Sequence, residues 1–222
     1  DDVVLEIGPG LGTLTSRLLA RAGRVVAVEF DRDLARKLPG QFPGKNLEVI
    51  NEDILQFDLN QLPKGYKVVA NVPYYITSKI VEKLMTAENK PSLAVLLVQK
   101  EVAERICAAH GNKVYGITSV LTQAFYRTEY LFTVSEQVFV PPPKVKSAVI
   151  RLTRKEQQTL DCNERLFFSI VKTAFNQRRK TMRNSLKTFN ADLSDKTFDL
   201  RPEQISQEQF IEITKLIQNQ SI

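Results

Sequence analysis

Apolar residues in this chain fall into short runs and helical spacings that alternate from its first residues onward. Val3–Ile7, Arg24–Phe30 and Leu47–Ile50 read as strands. Val68–Val72 and Leu93–Val98 are continuous apolar runs, the pattern of strands buried on both faces. Between these runs, Leu14, Leu18 and Leu19 give Thr13–Arg21 a helical spacing, and Asp31–Leu38 reads as a short helix with Asp31 as its N-cap. Further helices are predicted at Ile76–Thr86, Glu101–Ala109 and Ile117–Phe125. Such alternation predicts an α/β architecture, an open and mostly parallel sheet with helices on both faces. Ligands of such sheets sit at the carboxyl ends of the strands.

The pattern then changes. Tyr130–Val134 and Ser147–Leu152 read as two strands separated by Pro141-Pro142-Pro143, a stiff extended connection that cannot continue a ladder. Beyond Thr153 the strand signal fades, and helices are predicted at Glu164–Phe175, Arg178–Phe189 and Gln207–Gln218. A boundary near residue 154 therefore divides a domain of residues 1–153 from a small C-terminal helical domain of residues 154–222. If Phe175–Phe189 is one helix, Phe175, Met182, Leu186 and Phe189 share its apolar face. Arg179, Arg183 and Lys187 then follow one flank at i, i+4 and i+8.

Composition narrows the class. The chain has 222 residues, 43% of them hydrophobic, enough for a packed core and against global disorder. No apolar run approaches the roughly 18 residues of a membrane span. The sequence opens Asp1-Asp2 and passes straight into a strand, so no signal peptide is read and an N-terminal piece is expected to be missing. Cys107 and Cys162 are too few and too far apart for a disulfide framework or a zinc site, which points to the cytoplasm and to no metal. The single histidine, His110, lies beside Gly111-Asn112, a turn setting that disfavours a histidine triad. Net charge is +6, but residues 140–190 hold twelve Lys and Arg against three Asp and Glu, an excess of nine. That excess points to a polyanionic partner for the C-terminal half. The candidate contacts are Lys144, Lys146, Arg178, Arg179, Lys180, Arg183 and Lys187.

Four successive strand ends carry the candidate chemistry. Glu6-Ile7-Gly8-Pro9-Gly10-Leu11-Gly12 ends the first strand and opens a helix, so Gly8 and Gly10 let backbone approach a ligand closely. The third glycine comes one residue too early for a dinucleotide fingerprint. Glu29 ends the next strand, where a carboxylate can accept both hydroxyls of a ribose. Asp53 follows the third strand; it can accept from an adenine amine while the Ile54 N–H donates to a ring nitrogen. Asn71-Val72-Pro73-Tyr74 closes the fourth, placing an amide, a carbonyl beside a rigid proline and an aromatic ring together. These groups suit a planar base whose exocyclic amine is alkylated. Taken singly, each feature is explained by a tight turn or an exposed strand end; together they define a site for adenosine and a base amine.

These residues, with Tyr75 and Ile76, resemble the S-adenosylmethionine-dependent adenine N6-methyltransferases of ribosomal RNA. Gln99-Lys100-Glu101-Val102, the stretch Val138–Val149 with its three prolines, and Ala174–Leu186 sharpen the likeness. The last of these, with Arg201-Pro202-Glu203-Gln204-Ile205-Ser206 and Phe210, resembles the bacterial small-subunit adenine N6,N6-dimethyltransferases more than the large-subunit resistance methylases. The resemblance covers nearly the whole chain. It implies a Rossmann-like methyltransferase sheet, S-adenosylmethionine as cofactor, and dimethylation of two adjacent adenosines in the 3′-terminal hairpin loop of small-subunit rRNA. Cofactor contacts would fall to Glu6, Gly8, Gly10, Glu29, Asp53, Ile54 and Asn71. The reaction would fall to Asn71, Val72, Pro73 and Tyr74, with Phe139 over the base. The partner would be an immature small ribosomal subunit, met by a monomer in the cytoplasm. Two departures stand out: a Gln-Asn-Phe-Leu segment usual before the first strand is not matched, and Val72 replaces the usual leucine or isoleucine. A nicotinamide-dependent oxidoreductase, a large-subunit methylase and a non-catalytic assembly factor remain as alternatives. The first leaves Asn71–Tyr74 unexplained.

Overall fold

The computed structural model describes residues 2–157 and 159–220. Its elements run β1 (Val3–Ile7), α1 (Thr13–Leu19), β2 (Arg24–Glu29), α2 (Arg32–Lys37), β3 (Leu47–Asn51), β4 (Lys67–Asn71) and α3 (Thr77–Thr86). They continue as β5 (Leu93–Gln99), α4 (Lys100–Cys107), α5 (Ile117–Phe125), β6 (Tyr126–Val134), β7 (Ser147–Arg154), α6 (Glu164–Asn176), α7 (Met182–Ser185) and α8 (Gln207–Gln220). The seven strands form one sheet in the order β3-β2-β1-β4-β5-β7-β6. β1 to β5 are parallel, and β7 runs antiparallel to β5.

The register puts the predicted site residues along one edge. Ile7 pairs with Val28 and with Ala70, Glu29 with Asn51, and Asn71 with Leu97. Strand order reverses between β1 and β4, the point at which parallel sheets open a crevice beyond their carboxyl ends. The strands reach that edge because their interiors are apolar on both faces: Leu5, Val25, Ala27, Val68, Leu96 and Val98 have no exposure above 2%. Local signals set the helices between them. Asp31 caps α2 by accepting from the Asp33 and Leu34 N–H groups at 2.8 and 3.0 Å. Gly12 precedes α1 at φ 84°, and a Cβ there would come within 2.8 Å of Leu38 Cδ1. The early third glycine therefore serves close packing of the loop against the segment after α2.

Contacts divide the chain into two compact units. One holds the residues up to Ala103 together with Glu129–Arg154, and the other Glu104–Thr128 together with the residues from Lys155 on. The second unit thus takes α5 from the middle of the chain and α6, α7 and α8 from its later part. The core of the second unit forms where α6 meets α8, through buried Phe167, Ile170 and Val171 against Phe210, Ile213 and Ile217. Phe175 stacks on Phe210 at 5.9 Å and meets Tyr115 edge-on at 6.1 Å.

Two elements differ from expectation. β6 starts at Tyr126 rather than Tyr130. Its first residues alternate buried Tyr126, exposed Arg127 and exposed Glu129, the period-two pattern of an edge strand whose outward charges hide its start. Phe175–Phe189 is not one helix. α6 ends at Asn176, Thr181 is extended at ψ 158°, and α7 begins at Met182, whose N–H donates to Leu200 O at 2.8 Å. The break coincides with Arg178-Arg179-Lys180, cations that favour a helix C-terminus. Met182 and Leu186 are buried all the same, because the turn returns the chain to the core.

Candidate active site

The cleft at the reversal point has a volume of about 470 Å³ and lies within the first unit. Gly8, Glu29, Asp53, Ile54, Pro73 and Tyr75 line it, residues at or just beyond the ends of four strands. A volume of a few hundred cubic ångströms suits one nucleoside-sized ligand. Glu29 is 7% exposed and held at both oxygens: Gly10 N–H donates to Oε2 at 3.0 Å and Asp31 N–H to Oε1 at 2.9 Å. Each oxygen keeps a lone pair, so the carboxylate is oriented by the backbone and still able to accept. Asn51, given no role in the sequence reading, supports this loop by donating to Glu29 O at 2.9 Å and Phe30 O at 3.1 Å. Asp53 Oδ1 accepts from Leu55 N–H at 2.9 Å, a turn that fixes its carboxylate at the cleft wall.

Glu6 is the least comfortable residue on this edge. It is 1% exposed, and its Oε2 has no hydrogen-bond partner among the described residues, nor has Thr15 Oγ1. Burial pushes its carboxyl up to about 7; Thr15 opposes that rise and the Glu29 carboxylate adds to it. Gly8 and Gly10 take φ 66° and 56°, and a Cβ at either would meet nothing within 4 Å. Open space at two left-handed glycines, a buried unpartnered carboxylate oxygen and an oriented carboxylate fit a ligand bearing a diol and a cationic group. The S-adenosyl cofactor has that chemistry.

Asn71 is exposed at the end of β4. Val72 is buried and its N–H donates to Leu97 O at 3.0 Å, so the backbone beside Asn71 is fixed by β5. Valine is sufficient here because the position needs a buried apolar side chain. Pro73 O accepts from Ile76 N–H at 3.2 Å and from Thr77 Oγ1 at 3.2 Å, closing the 3₁₀ turn Tyr74–Ile76. The Tyr74 hydroxyl is hydrogen-bonded to Ser147 Oγ. Ser147 is fully buried at the start of β7, paired with Gln99. The sequence reading gave Ser147 no role; a lone serine opening the apolar run Ala148-Val149-Ile150 was the available signal. Phe139 is half-buried in the connection between β6 and β7, which reaches this edge at Ser147 beside Gln99.

The basic residues divide. Lys144, Lys146, Arg179, Lys180 and Lys187 are exposed. Arg178 donates to Lys113 O at 2.5 Å and lies 3.8 Å from Glu203 Oε2. Arg183 is turned into its own unit. Its Nε and Nη2 donate to Asp199 Oδ1 at 2.9 and 2.7 Å, and Nη1 donates to Leu193 O. With the helix broken at Gln177, the ridge Arg179–Arg183–Lys187 does not form, and Arg183 serves the fold. Among the described residues no three His, Cys, Asp or Glu are grouped to hold a metal ion, and no helix is long and apolar enough to cross a membrane.

Comparison with known proteins agrees with this geometry. The profile of the family described as ribosomal RNA adenine dimethylase matches residues 1–219. The ribosomal RNA small subunit methyltransferase A of Flavobacterium johnsoniae is 51% identical, covering 98% of this chain and 85% of its own length. The protein of the same name from Parabacteroides distasonis is 49% identical over 97% of this chain and 83% of its own. Among solved structures, a dimethyladenosine transferase from Plasmodium falciparum covers 100% of this chain and 92% of its own at TM-score 0.85 and 26% identity. The 23S rRNA methyltransferase ErmE covers 97% and 91% at TM-score 0.71 and 29% identity. The sheet is thus the Rossmann-like methyltransferase sheet, and the chain belongs to the ribosomal RNA adenine dimethylase family.

Proposed function

We propose that this chain transfers methyl groups from S-adenosylmethionine to adenine N6 in small-subunit ribosomal RNA, placing two on each of two adjacent adenosines of the 3′-terminal hairpin loop. The observation that carries this reading is the convergence of Glu29, Asp53, Ile54 and Pro73 on one cleft at the sheet edge where β4 ends in Asn71. A nicotinamide cofactor would use Glu29 and the glycines but leave Asn71–Tyr74 idle. Relatives at 44–51% identity carry the small-subunit name, and among solved structures the dimethyladenosine transferase superposes at TM-score 0.85 against 0.71 for the 23S enzyme, which supports the small subunit over the large.

The cofactor, when bound, supplies an electrophilic methyl on a sulfonium. Glu29 would hold the ribose diol, Asp53 and Ile54 the adenine edge, and Glu6 with the Gly8–Gly10 backbone the cationic end. Adenine N6 is a weak nucleophile because its lone pair is spread into the ring. The Asn71 side-chain oxygen and the Val72 carbonyl accept from the amine, favour a pyramidal nitrogen and stabilise the charge that grows on it. Tyr74 stacks on the base, held at a fixed tilt by its hydroxyl bond to Ser147, and Phe139 covers the other face. No histidine is needed, since an alkylated cationic amine sheds its proton to water. Positioning accounts for most of the rate. The exposed Lys144 and Lys146, and in the second unit Arg178, Arg179, Lys180 and Lys187, take the RNA phosphates. The partner is the immature small subunit, met in the cytoplasm by a monomer.

Asn71→Ala tests the assignment. Turnover should fall by about 100-fold or more while the cofactor dissociation constant, measured by calorimetry, changes little. Unchanged turnover in that variant would remove Asn71 from the mechanism.

A further inference from the structure

The connection between β6 and β7 presents an apolar point to solvent at the catalytic edge. Val140 is 100% exposed and Val138 66% exposed, while Phe139 between them is half-buried. Scattered surface valines need no explanation. This one differs in its setting. Pro141-Pro142-Pro143 follow it directly, and proline φ angles leave such a segment little freedom to lose. Exposed Lys144 and Lys146 come next, so positive charge flanks the apolar tip. The far end of the connection is anchored: Lys146 O accepts from Lys100 N–H at 2.9 Å, and Ser147 Oγ is bonded to the Tyr74 hydroxyl. A stiff, apolar, cation-flanked tip therefore adjoins the residue that carries the base platform.

Chemistry on a base requires that it leave its stack. Extrusion opens a gap between the neighbouring bases, and proteins commonly fill such gaps with an apolar side chain. A preorganised tip does this at small entropic cost. We propose that Val140 is an RNA wedge: its side chain enters the stack where the target adenine was, while Lys144 and Lys146 hold the flanking phosphates. The proposal rests on the functional reading above and adds to it the means of base extrusion.

The test uses small subunits assembled with 2-aminopurine at the target position, a base that brightens when unstacked. The unsubstituted chain, Val140→Ser and Val140→Ile are compared. Because Val140 is fully exposed, Val140→Ser should leave the melting temperature unchanged. The unsubstituted chain and the isoleucine variant should brighten the probe. The serine variant should bind subunits within about twofold but extrude the base about tenfold less, with kcat on ordinary subunits falling in step and KM for the cofactor unchanged. Equal brightening by the serine variant overturns the wedge, whether or not the chain methylates. A serine variant that loses binding and extrusion together overturns it in favour of a plain contact. An unsubstituted chain that neither binds nor methylates small subunits overturns the functional reading, and the wedge with it.

Discussion

Glu6 is a buried carboxylate whose Oε2 has no hydrogen-bond partner among the described residues. Its carboxyl, raised by burial to about 7 from 4.5, binds a proton more tightly in the folded chain than in the unfolded one between those values. Stability from this group is therefore present at low pH and lost as pH rises through that window. Glu6→Gln should raise the melting temperature at about pH 8 and change little at about pH 5, where Glu6 is already protonated. A cationic ligand favours the ionised form instead. Cofactor affinity should accordingly drop between about pH 8 and pH 6, with a proton released on binding, and both effects should disappear in Glu6→Gln. Calorimetry in two buffers of different ionisation enthalpy measures the proton directly. Affinity independent of pH in the unsubstituted chain would show that Glu6 does not face the cofactor.

Individual elements explain what could and could not be read from the sequence. The parallel strands were legible because Val68–Val72 and Leu93–Val98 are apolar without interruption, and the strand-end residues because each follows such a run. The helix break after Asn176 was not legible. Phe175, Met182, Leu186 and Phe189 keep a helical spacing, and only the tertiary bonds of Met182 and Arg183 reveal the turn. Those bonds make a prediction. Arg183→Ala should lower stability by about 1–2 kcal/mol, seen as a reduced melting temperature, because Asp199 and the Leu193 carbonyl lose their donor. Replacing Arg179 and Lys180 together should leave the melting temperature alone and weaken RNA binding, with the salt slope reduced by about one for each charge removed. The support from Asn51 was likewise invisible, and that from Ser147 was marked only by a lone serine opening an apolar run, since their value lies in what they touch: the loop after Glu29 and the Tyr74 hydroxyl.

At the scale of the molecule, charge and chemistry are placed in different parts of the chain. The cleft at the strand ends is acidic, with Glu29 and Asp53 on its walls, while the cations are concentrated between residues 140 and 190. Raising salt should therefore weaken RNA binding steeply and leave cofactor binding nearly constant. The most direct test of the account is nucleoside mass spectrometry after incubating the chain and S-adenosylmethionine with unmethylated small subunits, with large-subunit rRNA alongside. The account predicts N6,N6-dimethyladenosine in the small-subunit sample alone. Dimethyladenosine only in large-subunit rRNA, or no methylated adenosine in small subunits that the chain demonstrably binds, would contradict it.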